Sequence, residues 1–381
     1  MHILFVSHSS DLMGAERSLV ALVREAVEVR GHRVTVTVPD DGPLRAELVD
    51  AGAQVVVLPT TLWMGKRHNP LVGLVRTGQA ALSVPRYLRY IRQARPDLVV
   101  TNSAVVPAGA FAAGMARVRQ VWTVRESLLS NPSLRSVLPR RMIARIIAGR
   151  ADGVVAISRY VAGQLRDAAP EAERKLRVIV PSVARHTEVP VREPRPRPAS
   201  LGRLLLLGRF TAEKGQADAI KALGRCARAG QAFEMRLAGV GDADAVRSVR
   251  ALAVEHEVGH LVEVTEWADQ PHLLYQWADA TLMLSRNEAY GRVTVESLMS
   301  GTPVIGYRAG GTIEILDEGG GLLVPPDADA LADALLTLAG DEAAMHRLRD
   351  EARQRAVSLS SAPSSAPSFI SYLEELQANR S

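Results

Sequence analysis

Short apolar runs rich in Val, Ile and Leu alternate with longer amphipathic stretches from His2 to about residue 340. Short runs with little polar alternation fit strands buried on both faces, and the helical spacing between them fits crossover connections, so the pattern predicts parallel sheets. In the first half the predicted strands are 2–7, 33–38, 54–58, 97–101, 120–124, 153–157 and 177–180; in the second half they are 203–207, 234–238, 261–264, 280–284, 303–306 and 322–324. Between the halves, from Pro190, the prolines Pro194, Pro196 and Pro198 alternate with other residues, which forbids a helix or a central strand. The expected organisation is a Rossmann-like domain at 1–188, a Pro/Arg-rich linker at 189–200, a second Rossmann-like domain at 201–357, and a Ser/Pro-rich segment with a C-terminal helix at 358–381. The pattern leaves open which domain that helix packs on. Two such domains are expected to enclose a cleft at the C-terminal ends of their strands, where open α/β sheets take ligands.

Several strand ends carry candidate chemistry. After the strand at 280–284 comes Ser285-Arg286-Asn287-Glu288-Ala289-Tyr290-Gly291-Arg292-Val293-Thr294-Val295-Glu296, predicted as a loop that turns at Gly291 into a short helix ending at Gly301. Glu288 is expected on the loop and Glu296 in the first helical turn, beside backbone N–H groups that suit an anion. Carboxylates for hydroxyls next to amides for phosphate suggest a sugar nucleotide; ordinary strand-loop-helix punctuation with an acidic first turn is the plainer reading of the same residues. At the end of strand 203–207, Gly208-Arg209-Phe210-Thr211-Ala212-Glu213-Lys214-Gly215 offers two cations at a strand-to-helix turn, a phosphate site or a pair of solvated side chains. Gly239, in Ala238-Gly239-Val240-Gly241, lets backbone approach a ligand at the next strand end.

The loop after the first strand lacks a Gly-x-Gly-x-x-Gly fingerprint, which disfavours a nicotinamide or flavin dinucleotide there. Gly14-Ala15-Glu16-Arg17 is expected to open a helix that contacts a phosphate or an acceptor, or else is simply a helix start. His256-Glu257-Val258-Gly259-His260 matches a zinc-protease pattern, but Gly259 breaks the helix that both histidines would need to share. Asp242 and Asp327 each precede an Ala-rich helix and read as caps rather than metal ligands.

Composition adds location and charge. A length of 381 residues with 47% hydrophobic and 23% charged positions fits two globular domains, and the single cysteine, Cys226, excludes an internal disulfide. The first residues look like a strand rather than a leader and no apolar stretch is long enough to span a bilayer, so the chain is expected to be cytoplasmic. The net charge of +5 is uneven: residues 51–150 hold fifteen Lys/Arg against Asp97 and Glu126, a block of +13, so the remainder sums to −8. Something anionic is expected to meet this block. The basic amphipathic stretch Pro85–Arg95 within it is a candidate for the inner face of an anionic membrane, or an ordinary solvated helix face.

With these motifs in view, the chain resembles the family-4 retaining glycosyltransferases of the GT-B fold over nearly its whole length. The resemblance rests on Glu288 with Glu296, Gly208-Arg209 with Lys214-Gly215, Gly301-Thr302-Pro303-Val304-Ile305, Gly310-Gly311 followed by Glu314, and Gly14-Ala15-Glu16-Arg17. It implies a second domain that binds a UDP- or GDP-sugar through Arg209, Lys214, Gly239, Glu288, Ala289, Tyr290, Gly291, Arg292, Val293 and Glu296, with Gly14 contributing from the first. Glu296 would hold the ribose hydroxyls, Glu288 those of the transferred sugar, and Arg209 with Lys214 the diphosphate. The first domain would take a glycan, lipid-linked or natural-product acceptor, with Glu16, Arg125 and Glu126 as acceptor residues. No cofactor or metal is implied, and nucleic acid is not an expected partner. Arg209, Lys214, Glu288 and Arg125 are the catalytic candidates. Two departures stand out: the family usually has a histidine and an acid where this chain has Arg125-Glu126, and often two glycines where it has Met13-Gly14. The sequence leaves open a GT-B-fold epimerase, a phosphorylase with a lysine-bound pyridoxal cofactor, and a non-catalytic sugar-nucleotide-binding partner of a biosynthetic complex.

Overall fold

A computed structural model describes residues 1–65, 70–183, 201–265 and 270–379. The expected linker at 189–200 and the basic residues Lys66 and Arg67 lie outside the described residues. Among the described residues thirteen strands form: β1 (His2–Val6), β2 (Arg33–Val38), β3 (Gln54–Val57), β4 (Leu98–Thr101), β5 (Arg119–Val124), β6 (Gly153–Ala156), β7 (Leu176–Val178), β8 (Arg203–Leu207), β9 (Glu234–Ala238), β10 (Val262–Thr265), β11 (Ala280–Met283), β12 (Val304–Tyr307) and β13 (Gly321–Val324). Each coincides with a predicted strand to within two residues at either end.

The chain divides into two compact units, Met1–Ser182 with Ser364–Ser381, and Val183–Pro363. The first holds a seven-stranded sheet in the order β3-β2-β1-β4-β5-β6-β7, the second a six-stranded sheet in the order β10-β9-β8-β11-β12-β13. All registered pairs are parallel. The fold class is therefore the doubly wound pair of sheets that the sequence pattern predicts.

Each sheet is covered on both faces, which explains why its strands read as continuous apolar runs. In the first unit Ile3, Phe5 and Val121 face one buried layer with Leu19 and Val23, while Leu4, Val6 and Val99 face the other with Tyr87 and Ile91. In the second, Leu204, Leu206, Met235, Leu282 and Ile305 pack against Ile220, Leu223, Leu331 and Leu335 of two covering helices.

The C-terminal helix Ser365–Ala378 belongs to the first unit. Phe369, Ile370 and Leu373 enter its core, Glu374 accepts from Arg30 at 3.1 Å and lies 2.8 Å from His32 Nε2, and the Tyr372 hydroxyl donates to the Lys175 carbonyl. Burying three such side chains contributes several kcal/mol, at about 1.5–3 kcal/mol each. The Ser/Pro-rich stretch differs from expectation: the preceding helix runs from Glu342 to Ser361, leaving only 362–364 between helices. Ser364 caps the next helix by accepting from Ala366 N, and Pro367 falls in the first turn, where its missing N–H costs nothing.

Candidate functional site

In the second sheet the strand order reverses between β8 and β11, so the loops leaving their C-terminal ends part to opposite sides and open a crevice. The candidate residues fall on these loops and on that of the neighbouring β9. After β8 the chain passes through Gly208 and an exposed Arg209, forms one tight turn at Ala212–Lys214, and enters the helix Gln216–Arg228 through Gly215 at φ +80°. The Gln216 side chain pins this loop by donating to the Arg209 carbonyl at 2.8 Å. At the end of β9, Gly239 packs so tightly on β8 that a Cβ would lie 1.8 Å from the Gly208 carbonyl oxygen, so any side chain would push the two loops apart.

After β11 the loop carries Glu288, half-buried, whose Oε2 accepts from Lys214 Nζ at 2.7 Å. The expected phosphate cation and the expected sugar carboxylate thus face each other across the switch point and neutralise one another. Gly310 (φ +61°) and Gly311 hold the Glu288 loop from β12: Gly311 N donates to the Glu288 carbonyl at 2.8 Å, and a Cβ on Gly310 would lie 2.5 Å from that same oxygen.

The helix Arg292–Met299 starts directly after Gly291, at φ +110°. This corrects one expectation: Glu296 is the fifth residue of the helix rather than part of its first turn, so it does not complement the first-turn dipole. It is held instead by side chains. The Tyr275 hydroxyl donates to Glu296 Oε2 at 2.9 Å, and Arg292 reaches Oε1 at 3.5 Å. Tyr275 is almost wholly buried, and burial first, then the Glu296 charge, drives its phenol pKa well upward, which keeps it a neutral donor. Tyr290 and Val293 turn inward: burial, then the charge of Glu314, pushes the Tyr290 phenol up to about 12, and Val293 packs on a small apolar cluster with Leu205, Leu207 and Ala238.

In the first unit Gly14 opens the helix Gly14–Arg24. Glu16, in its first turn, is buried, with Oε1 at 3.6 Å from His8 Nδ1. Arg125 leaves the end of β5 and its Nε donates to the buried Asn102 Oδ1 at 3.0 Å. Glu126 faces into the protein, where its carboxylate accepts from Ser103 Oγ and from the backbone N–H groups of Ala104 and Arg125. That ties together the loops after β4 and β5, a structural duty the acceptor assignment did not foresee.

The two histidines do not share a helix, and the break falls earlier than the expected Gly259. The helix Ala243–Glu255 ends before His256, Glu257 adopts φ +62°, and His260 lies in a separate turn. Among the described residues no group of three or more His, Cys, Asp or Glu could hold a metal ion. Asp242 and Asp327 cap their helices, accepting from Ala245 N and from Asp329 N and Ala330 N. Sequence reasoning passed over His8, Asn102 and Tyr275. Tyr275 sits in a seven-residue helix, Pro271–Trp277, whose apolar composition looks like packing alone.

Residues 13–186 match the family described as Glycosyltransferase Family 4, and residues 192–355 match the family described as Glycosyl transferases group 1. The glycogen synthase of Mycobacterium tuberculosis is 36% identical over 174 residues, which are 44% of this chain and 40% of that protein. The chain thus matches well under two thirds of that relative's length. Among solved structures, the sucrose-phosphate synthase of Thermosynechococcus elongatus has a TM-score of 0.76 at 21% identity and covers 100% of both chains. Anabaena Alr3699/HepE, solved in complex with UDP and glucose, has a TM-score of 0.73 at 20% identity, covering 98% of this chain and 99% of that one. At these identities the structural likeness establishes the GT-B fold. Among the described residues, no helix is long and apolar enough to cross a membrane.

Proposed function

Because the chain belongs to the family-4-like glycosyltransferases, with one matching family across each half, we propose that it transfers a sugar from a nucleoside diphosphate sugar to an acceptor hydroxyl with retention of configuration and without a metal. The observation that carries this reading is the Lys214–Glu288 contact of 2.7 Å at the switch point of the second sheet, in the same segment after β11 that carries Glu296, itself held by Tyr275. A cation for a diphosphate, a carboxylate for sugar hydroxyls and a fixed carboxylate for ribose hydroxyls lie together in one unit. The solved complex of a fold neighbour with UDP and glucose makes a UDP-sugar the first donor to test, with GDP-sugars next.

In this reading donor binding separates Lys214 from Glu288: the ammonium turns to the diphosphate and the carboxylate to the sugar. Arg209 and Lys214 then offset the negative charge that grows on the leaving diphosphate. A preorganised donor of this kind contributes about 3–4 kcal/mol to the transition state. The acceptor hydroxyl attacks from the face the diphosphate leaves, and the departing phosphate oxygen takes its proton. Arg125, anchored by Asn102, favours an acceptor that carries a phosphate or carboxylate, such as a lipid-linked or acidic glycan. The chain is assigned to the cytoplasm, where nucleotide sugars are made.

Incubation with a panel of UDP- and GDP-sugars, with detection of released nucleoside diphosphate and NMR of the new anomeric centre, tests the proposal. Release with a product of the donor's own configuration supports it. An inverted product removes the same-face mechanism. Donor binding without hydrolysis or transfer to any acceptor favours instead a non-catalytic sugar-nucleotide-binding partner, for which the replacement of histidine by Arg125 is the specific pointer.

A further inference from the structure

The two acids of the basic block 51–150 are both consumed inside the first unit. Asp97 accepts from the backbone N–H of His2 at 2.6 Å, and Glu126 serves the loops after β4 and β5. Among the described side chains of this block, Arg125 aside, no cation takes part in an ion pair, whereas Arg24, Arg30 and Arg45 of the same unit all do. Close ion pairs therefore offset little of this block's positive charge.

Part of this charge is laid out with apolar side chains. In the helix Pro70–Ala94, Tyr87 and Ile91 are buried. Val75 and Leu82 lie on the opposite stripe, 59% and 75% exposed, in line with the exposed Arg86 and Arg89. Spacings of seven, four and three residues keep these four on one face along about 21 Å. Single exposed apolar residues are ordinary, but a stripe of them leading into arginines has the chemistry of an interfacial helix.

We propose that this face docks the first unit on a bilayer containing anionic phospholipid. Val75 and Leu82 enter the headgroup boundary while Arg86 and Arg89 meet lipid phosphates. A nucleic acid would use the same charge but leave the apolar side chains in water, so the lipid surface is the better match. This inference does not depend on the glycosyl-transfer reading.

The test is co-sedimentation of the full chain with phosphatidylcholine vesicles, with and without phosphatidylglycerol, over a range of salt. Binding is expected only with phosphatidylglycerol and should weaken as salt rises. Arg86→Gln with Arg89→Gln should lower the partition coefficient about 30-fold, and Leu82→Gln should lower it about tenfold or more. Unchanged circular dichroism and melting temperature would show that these surface variants remain folded. Wild-type protein that stays in the supernatant with phosphatidylglycerol, variants that sediment like wild type, or arginine-dependent binding to tRNA without vesicle binding would each overturn the proposal.

Discussion

Replacing Glu288 with glutamine separates the two roles assigned to the switch-point pair. Its carboxylate holds Lys214 Nζ at 2.7 Å, with the two side chains 18% and 32% exposed. A diphosphate must take Lys214 from that partner before it gains the charge. A partly exposed pair of this kind is worth about 1 kcal/mol net after desolvation and screening. Glu288→Gln should therefore bind free UDP or GDP about fivefold more tightly than wild type, since 1.4 kcal/mol is a factor of ten. The same change weakens the hold on the sugar, because a hydrogen bond to a charged group contributes about 1.5–3 kcal/mol and a neutral amide less. The affinity ratio of sugar nucleotide to bare nucleotide should fall in the variant. Isothermal titration calorimetry with UDP and the matched UDP-sugar, at low and moderate salt, reads both quantities. The UDP gain should shrink as salt rises. If Glu288→Gln left UDP affinity unchanged or weakened it, Lys214 would not be the group that turns to the diphosphate.

Further expectations follow from individual contacts. Lys214→Ala should lower turnover by about 10²–10³ while changing donor affinity less, the signature of a group acting on the leaving diphosphate; steady-state kinetics with the identified donor decides it. Arg349→Met should destabilise the second unit by about 3–5 kcal/mol, because it strands Asp279, which is buried beside Arg349 at 3.4 Å and accepts from Gly202 N and Arg203 N. Urea unfolding measures this, and Asp279→Asn combined with Arg349→Met should recover part of the loss. Burial pushes the Cys226 thiol up to about 11, so it should remain protonated and unreactive towards a disulfide reagent at pH 8 in the folded chain and react once the chain is unfolded. Because the folded pKa is raised, the thiol's contribution to stability is full below its unfolded pKa of about 9 and is lost as pH rises towards 11.

The strands were legible because a doubly covered parallel sheet imposes continuous apolar runs, as in Arg203–Leu207, where only the first residue is exposed. The positions of Arg209, Lys214 and Gly239 at strand ends followed directly from those boundaries. What could not be read was which distant side chains meet. Lys214 and Glu288 are 74 positions apart, and nothing local announces that their loops face each other until the strand order brings β8 beside β11. Tyr275 was invisible for a related reason: a tyrosine in a short apolar helix looks like packing, and only its contact with Glu296 reveals the polar use of its hydroxyl. The misjudged turn of Glu296 reflects how abruptly the left-handed Gly291 starts its helix. In the tail, Ser and Pro suggested a break, yet Ser364 and Pro367 sit where a helix start accepts them.

The central claim is that the second unit holds a nucleoside diphosphate sugar through Lys214, Glu288 and Glu296. Thermal unfolding with UDP- and GDP-sugars tests it most directly, comparing wild type with Glu296→Ala, which removes the carboxylate assigned to the ribose. A ligand present at 100 times its dissociation constant stabilises a protein by about 2.7 kcal/mol. The account predicts a clear rise in melting temperature for one nucleotide class in wild type and its loss in Glu296→Ala. No response to any nucleoside diphosphate sugar, or an equal response in the two proteins, would contradict it.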